Sequence, residues 1–92
     1  MMYMKTKELE RILKALANKR RLAIVAYIKK HKEANVGEIA QAINLSFKAT
    51  SKHLNVLAGV DILEKEQRSL EMWYRISFAV PVIAKHISNS LE

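Results

Sequence analysis

Residues 38–57 constrain the fold more tightly than any other part of the chain. Glu38-Ile39-Ala40-Gln41-Ala42-Ile43 reads as a short helix with Ile39, Ala40 and Ile43 inward. Asn44, the non-glycine residue type most tolerant of a left-handed backbone, then makes a tight turn. Leu45 plugs the space between two helices, and Ser46 can cap a helix that begins at Phe47. In that helix Thr50, Leu54 and Leu57 recur at helical spacing as a buried stripe, while Lys48, Ser51, Lys52 and Asn55 fall on the opposite side. Short helix, tight turn and longer helix make a helix-turn-helix, with Ala40 where the two helices cross closely. The outward residues are small or cationic and include no carboxylate, which suits phosphate oxygens and base edges, so the longer helix reads as a DNA recognition helix.

The flanking segments extend this frame. Thr6 can cap a first helix carrying Leu9, Ile12, Leu13 and Leu16, ending near Ala17. Asn18 can cap a second, whose Leu22, Ala23, Ile24, Val25, Ala26 and Ile28 make it apolar around much of its circumference and so central to the core. Lys29, Lys30 and Lys32 complement its negative C-terminus, and His31 is expected to be exposed. Asn35-Val36-Gly37 is extended in character. Gly59-Val60-Asp61 ends the recognition helix, and residues 62–66 and 72–76 read as two strands joined around Arg68-Ser69-Leu70. Met72, Tyr74 and Ile76 alternate with Glu71, Trp73 and Arg75, so one face lies on the core and Trp73 packs over the hairpin, partly exposed. Pro81 suits the first turn of a last helix with the stripe Ile83, Ile87 and Leu91. That stripe has little core left to cover, which suggests a partner subunit. Leu91-Glu92 is also a dipeptide that cloning leaves behind, and no argument rests on it. The fold class is therefore mainly α with a small β-hairpin: a winged helix-turn-helix in the order helix, helix, short strand, helix, helix, hairpin, helix.

Composition narrows the functions. Ninety-two residues, half of them hydrophobic, suffice for one domain over 1–92 and leave no room for a second. Without cysteine there are no disulfides, thiolate metal sites or thiol nucleophiles, and the chain suits a reducing cytoplasm. The longest apolar run, residues 22–28, is far shorter than the roughly 20 residues of a membrane span, and Met1-Met2-Tyr3-Met4-Lys5 lacks a signal-peptide core. A net charge of +7 favours polyanionic partners. Residues 5–32 hold ten basic and two acidic residues, while the remainder holds six and seven, so the half that reads DNA is not the basic half. The lysines of the first two helices either form solvated faces or reach flanking phosphates.

With these residues in place the chain resembles the ArsR-type family of small winged-helix repressors. Leu13-Lys14-Ala15-Leu16-Ala17-Asn18 with Arg21-Leu22 is similar to that family's opening motif, where Asp-Pro-Thr-Arg commonly joins the first two helices and Asn18 here replaces the Asp as cap. Glu38-Ile39-Ala40, Leu45-Ser46, Ser51-Lys52-His53-Leu54 with Val56-Leu57, and Tyr74-Arg75-Ile76-Ser77 follow in the family's order and spacing, over residues 9 to about 77. The resemblance implies a homodimeric repressor whose first and last helices pair the subunits, with Ser46, Lys48, Ser51, Lys52 and His53 near DNA. Departures are Phe47 in place of a polar residue, Asn44 and Asp61 at glycine-favoured turns, and Glu64, Glu66 and Glu71 in a wing where basic residues are common. Arg68, the one basic residue at the wing tip, either enters a minor groove or is a solvated turn residue. His53, beside the buried stripe, suits a packed, hydrogen-bonded role better than a base contact. The candidate DNA-binding set is Ser46, Phe47, Lys48, Thr50, Ser51, Lys52, His53, Asn55 and Arg68; the candidate dimerisation set is Leu9, Ile12, Ile83, Ile87 and Leu91.

Family members that sense metals use cysteine pairs on the short helix or His and carboxylate clusters on the last. Here the short helix opens Val36-Gly37-Glu38, and His86 has no ligand partner at a suitable spacing, so neither metal nor cofactor is expected. Two glycines in the whole chain rule out a glycine-rich phosphate loop, and Ser51 and His53 lie too close along one helix to face each other, so no enzyme chemistry is expected. The competing reading is a winged-helix protein-interaction module docking through its recognition helix, with Phe47 as an exposed anchor. Lys48, Lys52 and the net charge favour double-stranded DNA.

Overall fold

The computed structural model describes residues 4–91; Met1, Met2, Tyr3 and Glu92 lie outside the described residues, and with them most of the chain's start and half of the terminal dipeptide considered above. Helix α1 (Thr6–Leu16) begins with Thr6 already helical, so Lys5 occupies the cap position and the expected threonine cap is not made. Asn18 does act as a cap: its side chain accepts the Arg21 N–H at 3.0 Å at the head of α2 (Lys19–His31). Ile24, Val25 and Ile28 are fully buried, and α2 touches all the other helices that follow as well as α1. It is the central pillar, as its apolar circumference requires. Lys29 at its end donates to the Ser88 carbonyl at 3.0 Å and so ties down the last helix.

The extended piece is shifted from its expected place. β1 spans Glu33–Asn35, and helix α3 (Val36–Ile43) starts two residues earlier than its hydrophobic pattern implies. A capping box explains the shift: Asn35 Oδ1 accepts the Glu38 N–H at 2.8 Å while Glu38 accepts the Asn35 N–H at 3.0 Å. Asn44 takes the left-handed conformation, with φ 56° and ψ 55°, and its N–H closes α3. Ser46 Oγ then accepts the Ala49 N–H at 3.1 Å and opens α4 (Phe47–Gly59). The helix-turn-helix thus rests on two local devices, a left-handed asparagine and a serine cap. Ala40, 7% exposed, is buried beneath it.

β2 (Leu63–Arg68) and β3 (Glu71–Ile76) form the wing hairpin, with Ser69 left-handed in the turn. β1 pairs with the other edge of β3, so the hairpin is part of a three-stranded antiparallel sheet in the order β1-β3-β2. Register puts Leu63 opposite Ile76, Lys65 opposite Tyr74 and Gln67 opposite Met72 on the inner face. The outer face carries Glu33, Glu64, Glu66, Arg68, Trp73 and Arg75.

Helix α5 (Val82–Asn89), with Pro81 at its cap, corrects one expectation. Ala84 and Ser88 are buried, and Ile87 and Leu91 pack against the chain's own core, so most of the stripe has an intrachain partner. Ile12, 5% exposed, is likewise a core residue and cannot serve a second subunit. Leu9 and Ile83 remain on the outside, together with Met4, Val80, Pro81 and Val82 around a groove of about 520 Å³. No helix among the described residues is long and apolar enough to cross a membrane.

Candidate nucleic-acid interface

Helix α4 presents Phe47, Lys48, Lys52 and Asn55 outward beside its Ser46 cap, with Ser51 half-buried among them. Its aligned N–H groups add positive potential at the Ser46 end, where the cationic side chains begin. Thr50 is the exception in the candidate set. It is fully buried, so it cannot touch a ligand, and its Oγ1 has no hydrogen-bond partner among the described residues. A hydroxyl so placed is desolvated without compensation. Thr50→Val, similar in shape and helix propensity, is therefore expected to raise the free energy of unfolding by about 1 kcal/mol, read as a shift in urea midpoint.

His53 is turned toward the body of the protein. Arg21 donates from its Nε to the Ala15 carbonyl at 2.6 Å and from one terminal nitrogen to the Lys14 carbonyl at 3.2 Å, with the other 3.2 Å from His53 Nδ1. Arginine has no acceptor, so Nδ1 accepts and the imidazole is neutral with its proton on Nε2. Partial burial, then the charges of Arg21 and Arg20, hold the His53 pKa below its ordinary value of 6.5. One side chain thus binds the end of α1 to the middle of α4. Arg21-Leu22 stood in the sequence motif, but nothing local to it reveals that its guanidinium reaches residue 53.

Arg68 does not project from the wing tip. It forms a two-pronged pair with Glu33 at 2.6 and 2.9 Å, a third bond to Glu66 at 3.0 Å, and lies 4.9 Å above the Trp73 ring. Arg75 bridges Glu64 and Glu66 at 2.9 and 3.0 Å. Glu64 and Glu66 of the wing are thereby bound with Glu33 into a lattice on the outer sheet face, whereas Glu71 accepts from Asn35 Nδ2 at 3.1 Å, and Arg68 is engaged rather than offered to a groove. The exposed tip is Leu70.

The same lattice sets an acid limit. The Arg68 bond lowers the Glu33 pKa, the Phe78 N–H and then Arg75 lower that of Glu64, and the bonds from Arg68 and Arg75 lower that of Glu66. Groups with depressed folded pKa values contribute stability that is complete above the ordinary carboxylate value of 4.5 and is lost as pH falls through the folded values. The thermal midpoint is expected to drop on acidification below that value, and less steeply in Glu66→Gln. Calorimetry from about pH 7 to about pH 3 checks the difference, which salt reduces because these groups are solvent-exposed.

Between α4 and the hairpin runs a groove of about 370 Å³, lined on the helix side by Phe47, Ser51 and Asn55 and on the sheet side by Lys65, Leu70, Met72 and Tyr74. The Tyr74 hydroxyl donates to Asn55 Oδ1 at 3.4 Å across its floor. Lys65 and Leu70 were absent from the sequence candidates, although Lys65 shares the inner face with Tyr74 once hairpin register is known. Among the described residues no group of three or more His, Asp or Glu side chains converges as a metal site would require.

An exposed, carboxylate-free helix held in a helix-turn-helix and followed by a hairpin wing defines a winged helix-turn-helix protein. Residues 16–66 match the family model described as a helix-turn-helix domain. Over 75 residues the chain is 35% identical to the transcriptional repressor PagR of Bacillus anthracis, covering 82% of this chain and 75% of that protein. The crystal structure of PagR superposes with a TM-score of 0.80 at 31% identity, over 99% of this chain and 100% of that one. HlyU from Vibrio cholerae superposes with a TM-score of 0.80 at 28% identity, over 98% and 94%. The fold is shared too by the homodimeric winged helix-turn-helix DNA-binding domain Mb0332 from Mycobacterium bovis, a possible ArsR-family regulator, with a TM-score of 0.77 at 24% identity over 98% and 85%. The chain belongs to the ArsR-type family of winged helix-turn-helix transcriptional regulators.

Proposed function

We propose that this chain is a cytoplasmic homodimeric repressor that binds duplex DNA sequence-specifically, inserting α4 into the major groove. The observation that carries the reading is the outward strip of α4, where Phe47, Lys48, Ser51, Lys52 and Asn55 lie together without a carboxylate while Glu33, Glu64 and Glu66 are paired on the far face of the sheet. Likeness to PagR, a transcriptional repressor, supports the sign of regulation. Two-fold pairing through Leu9 and Ile83, around the groove between α1 and α5, would space two recognition helices for half-sites roughly 34–36 Å apart. Selection from random duplex DNA tests this: an enriched inverted repeat is expected, and salt-insensitive binding to a protein with no enrichment would instead favour an interaction module. Light scattering at micromolar concentration reads the dimer.

Two lysines divide the work. Lys48, in the first turn of α4, is placed for base edges, so Lys48→Ala is expected to relax preference at one base pair per half-site by about 1–3 kcal/mol. Lys52 lies one turn further back, nearer the groove wall, and Lys52→Ala is expected to weaken binding to all sequences and to reduce the salt slope by about one unit. Affinities on the selected site and on point-changed sites over a salt series distinguish the two; equal profiles would refute separate roles.

A further inference from the structure

We infer that Phe47 is a specificity determinant that reads the 5-methyl group of a thymine; the inference rests on the DNA-binding reading above. Phe47 is the first residue of α4, beside the Ser46 cap, and is 63% exposed, although an aromatic ring left in water forgoes the stabilisation that burial would bring. Its neighbours on the outward strip, Lys48, Ser51, Lys52 and Asn55, all carry hydrogen-bonding groups, and the Ser46 hydroxyl, which accepts the Ala49 N–H, keeps its own O–H to donate. Phe47 has none to offer. Across the groove the facing wall is mixed, with Leu70, 96% exposed at the wing tip, and Met72 standing beside Lys65, Glu71 and Tyr74.

A base edge that meets this ring loses water without gaining a hydrogen bond, so the matching edge must itself be apolar. Among the groups that base pairs display in the major groove, the thymine 5-methyl is the one projecting apolar group, cytosine offering only a C5–H at the same place. The N-terminal part of a recognition helix is also the part that reaches base edges in helix-turn-helix complexes. Position, exposure and chemistry therefore converge on one ligand group, in a half-site also read by Lys48.

The test replaces each thymine of the selected operator, together with its symmetry mate, by deoxyuridine, which removes the methyl and leaves the hydrogen-bonding edge intact. Affinity of the full chain is measured at low salt, where weakened complexes remain readable. One thymine per half-site is expected at which the replacement weakens binding about fourfold, or about fifteenfold when both half-sites are changed. Phe47→Ala and Phe47→Gln are expected to bind thymine and deoxyuridine operators alike at that position, with unchanged circular dichroism because the ring is exposed. Insensitivity at every thymine, an operator with no required thymine, or full thymine preference retained in both variants would overturn the assignment while leaving the repressor reading intact. Failure to bind duplex DNA at all would overturn both.

Discussion

Leu54→Ala is expected to lower the free energy of unfolding by about 3 kcal/mol, with an unchanged urea m-value. Leu54 is fully buried on the inner side of α4, in the cluster that contains Ile24, Ile28, Ile39, Leu57 and Ile62. Helices α2 and α3 and the strand β2 all touch α4, so no single neighbour can move to fill the space. The lost transfer free energy and the residual cavity then add. For a domain whose total stability is of order 5–15 kcal/mol, that is a large fraction. Asn55→Ala, at the next position but exposed, is expected to change stability by less than about 1 kcal/mol, because its single long bond to Tyr74 is the only tie to the sheet among the described residues. Urea denaturation of the pair therefore separates the buried face of α4 from the outward one. Comparable losses in both would mean that the helix is not seated as described.

Arg21→Ala is expected to cost about 2 kcal/mol and to raise the pKa of His53. Three bonds from one guanidinium are lost, leaving the Lys14 and Ala15 carbonyls at the end of α1 and the Nδ1 of His53 without this donor. Burial is the larger cause of the depressed His53 pKa and the Arg21 charge the second, so removing the charge moves the value upward without restoring it fully. A histidine whose folded pKa is depressed supplies stability that is complete above its ordinary value of 6.5 and is lost as pH falls through the folded value. The wild-type protein should accordingly weaken on mild acidification, and the variant should do so less steeply. Chemical denaturation reads the first effect and a proton NMR titration of the imidazole reads the second. Arg21→Lys should rescue little, since an ammonium cannot reproduce the planar fork that reaches two carbonyls and a ring nitrogen together. An unchanged His53 titration in Arg21→Ala would show that the clamp does not act on α4.

Whatever depended on neighbours in the chain was legible before the fold was known. Asn18, Asn44 and Ser46 each act on backbone groups within a few residues, and these three residues announced α2, the tight turn and α4. Helical periodicity likewise separated Leu54 and Leu57 from Lys48 and Lys52, because a 3.6-residue repeat is a local property. Alternation placed Tyr74 on the core and Trp73 on the outer face for the same reason. What required the tertiary structure was every pairing between distant segments. Thr50 belonged to the buried stripe by its spacing, and only the packing of α4 against α2, α3 and β2 shows that it has no free edge left for DNA. Arg68 looked available at a wing tip until the β1 edge of the sheet brought Glu33 within 2.6 Å. Ile12, Ile87 and Leu91 looked like spare apolar surface until α5 folded back onto α2 with Lys29 bonded to Ser88. Caps and periodicities are short-range and are written in consecutive residues, whereas register and helix docking are settled by which distant surfaces can be buried together.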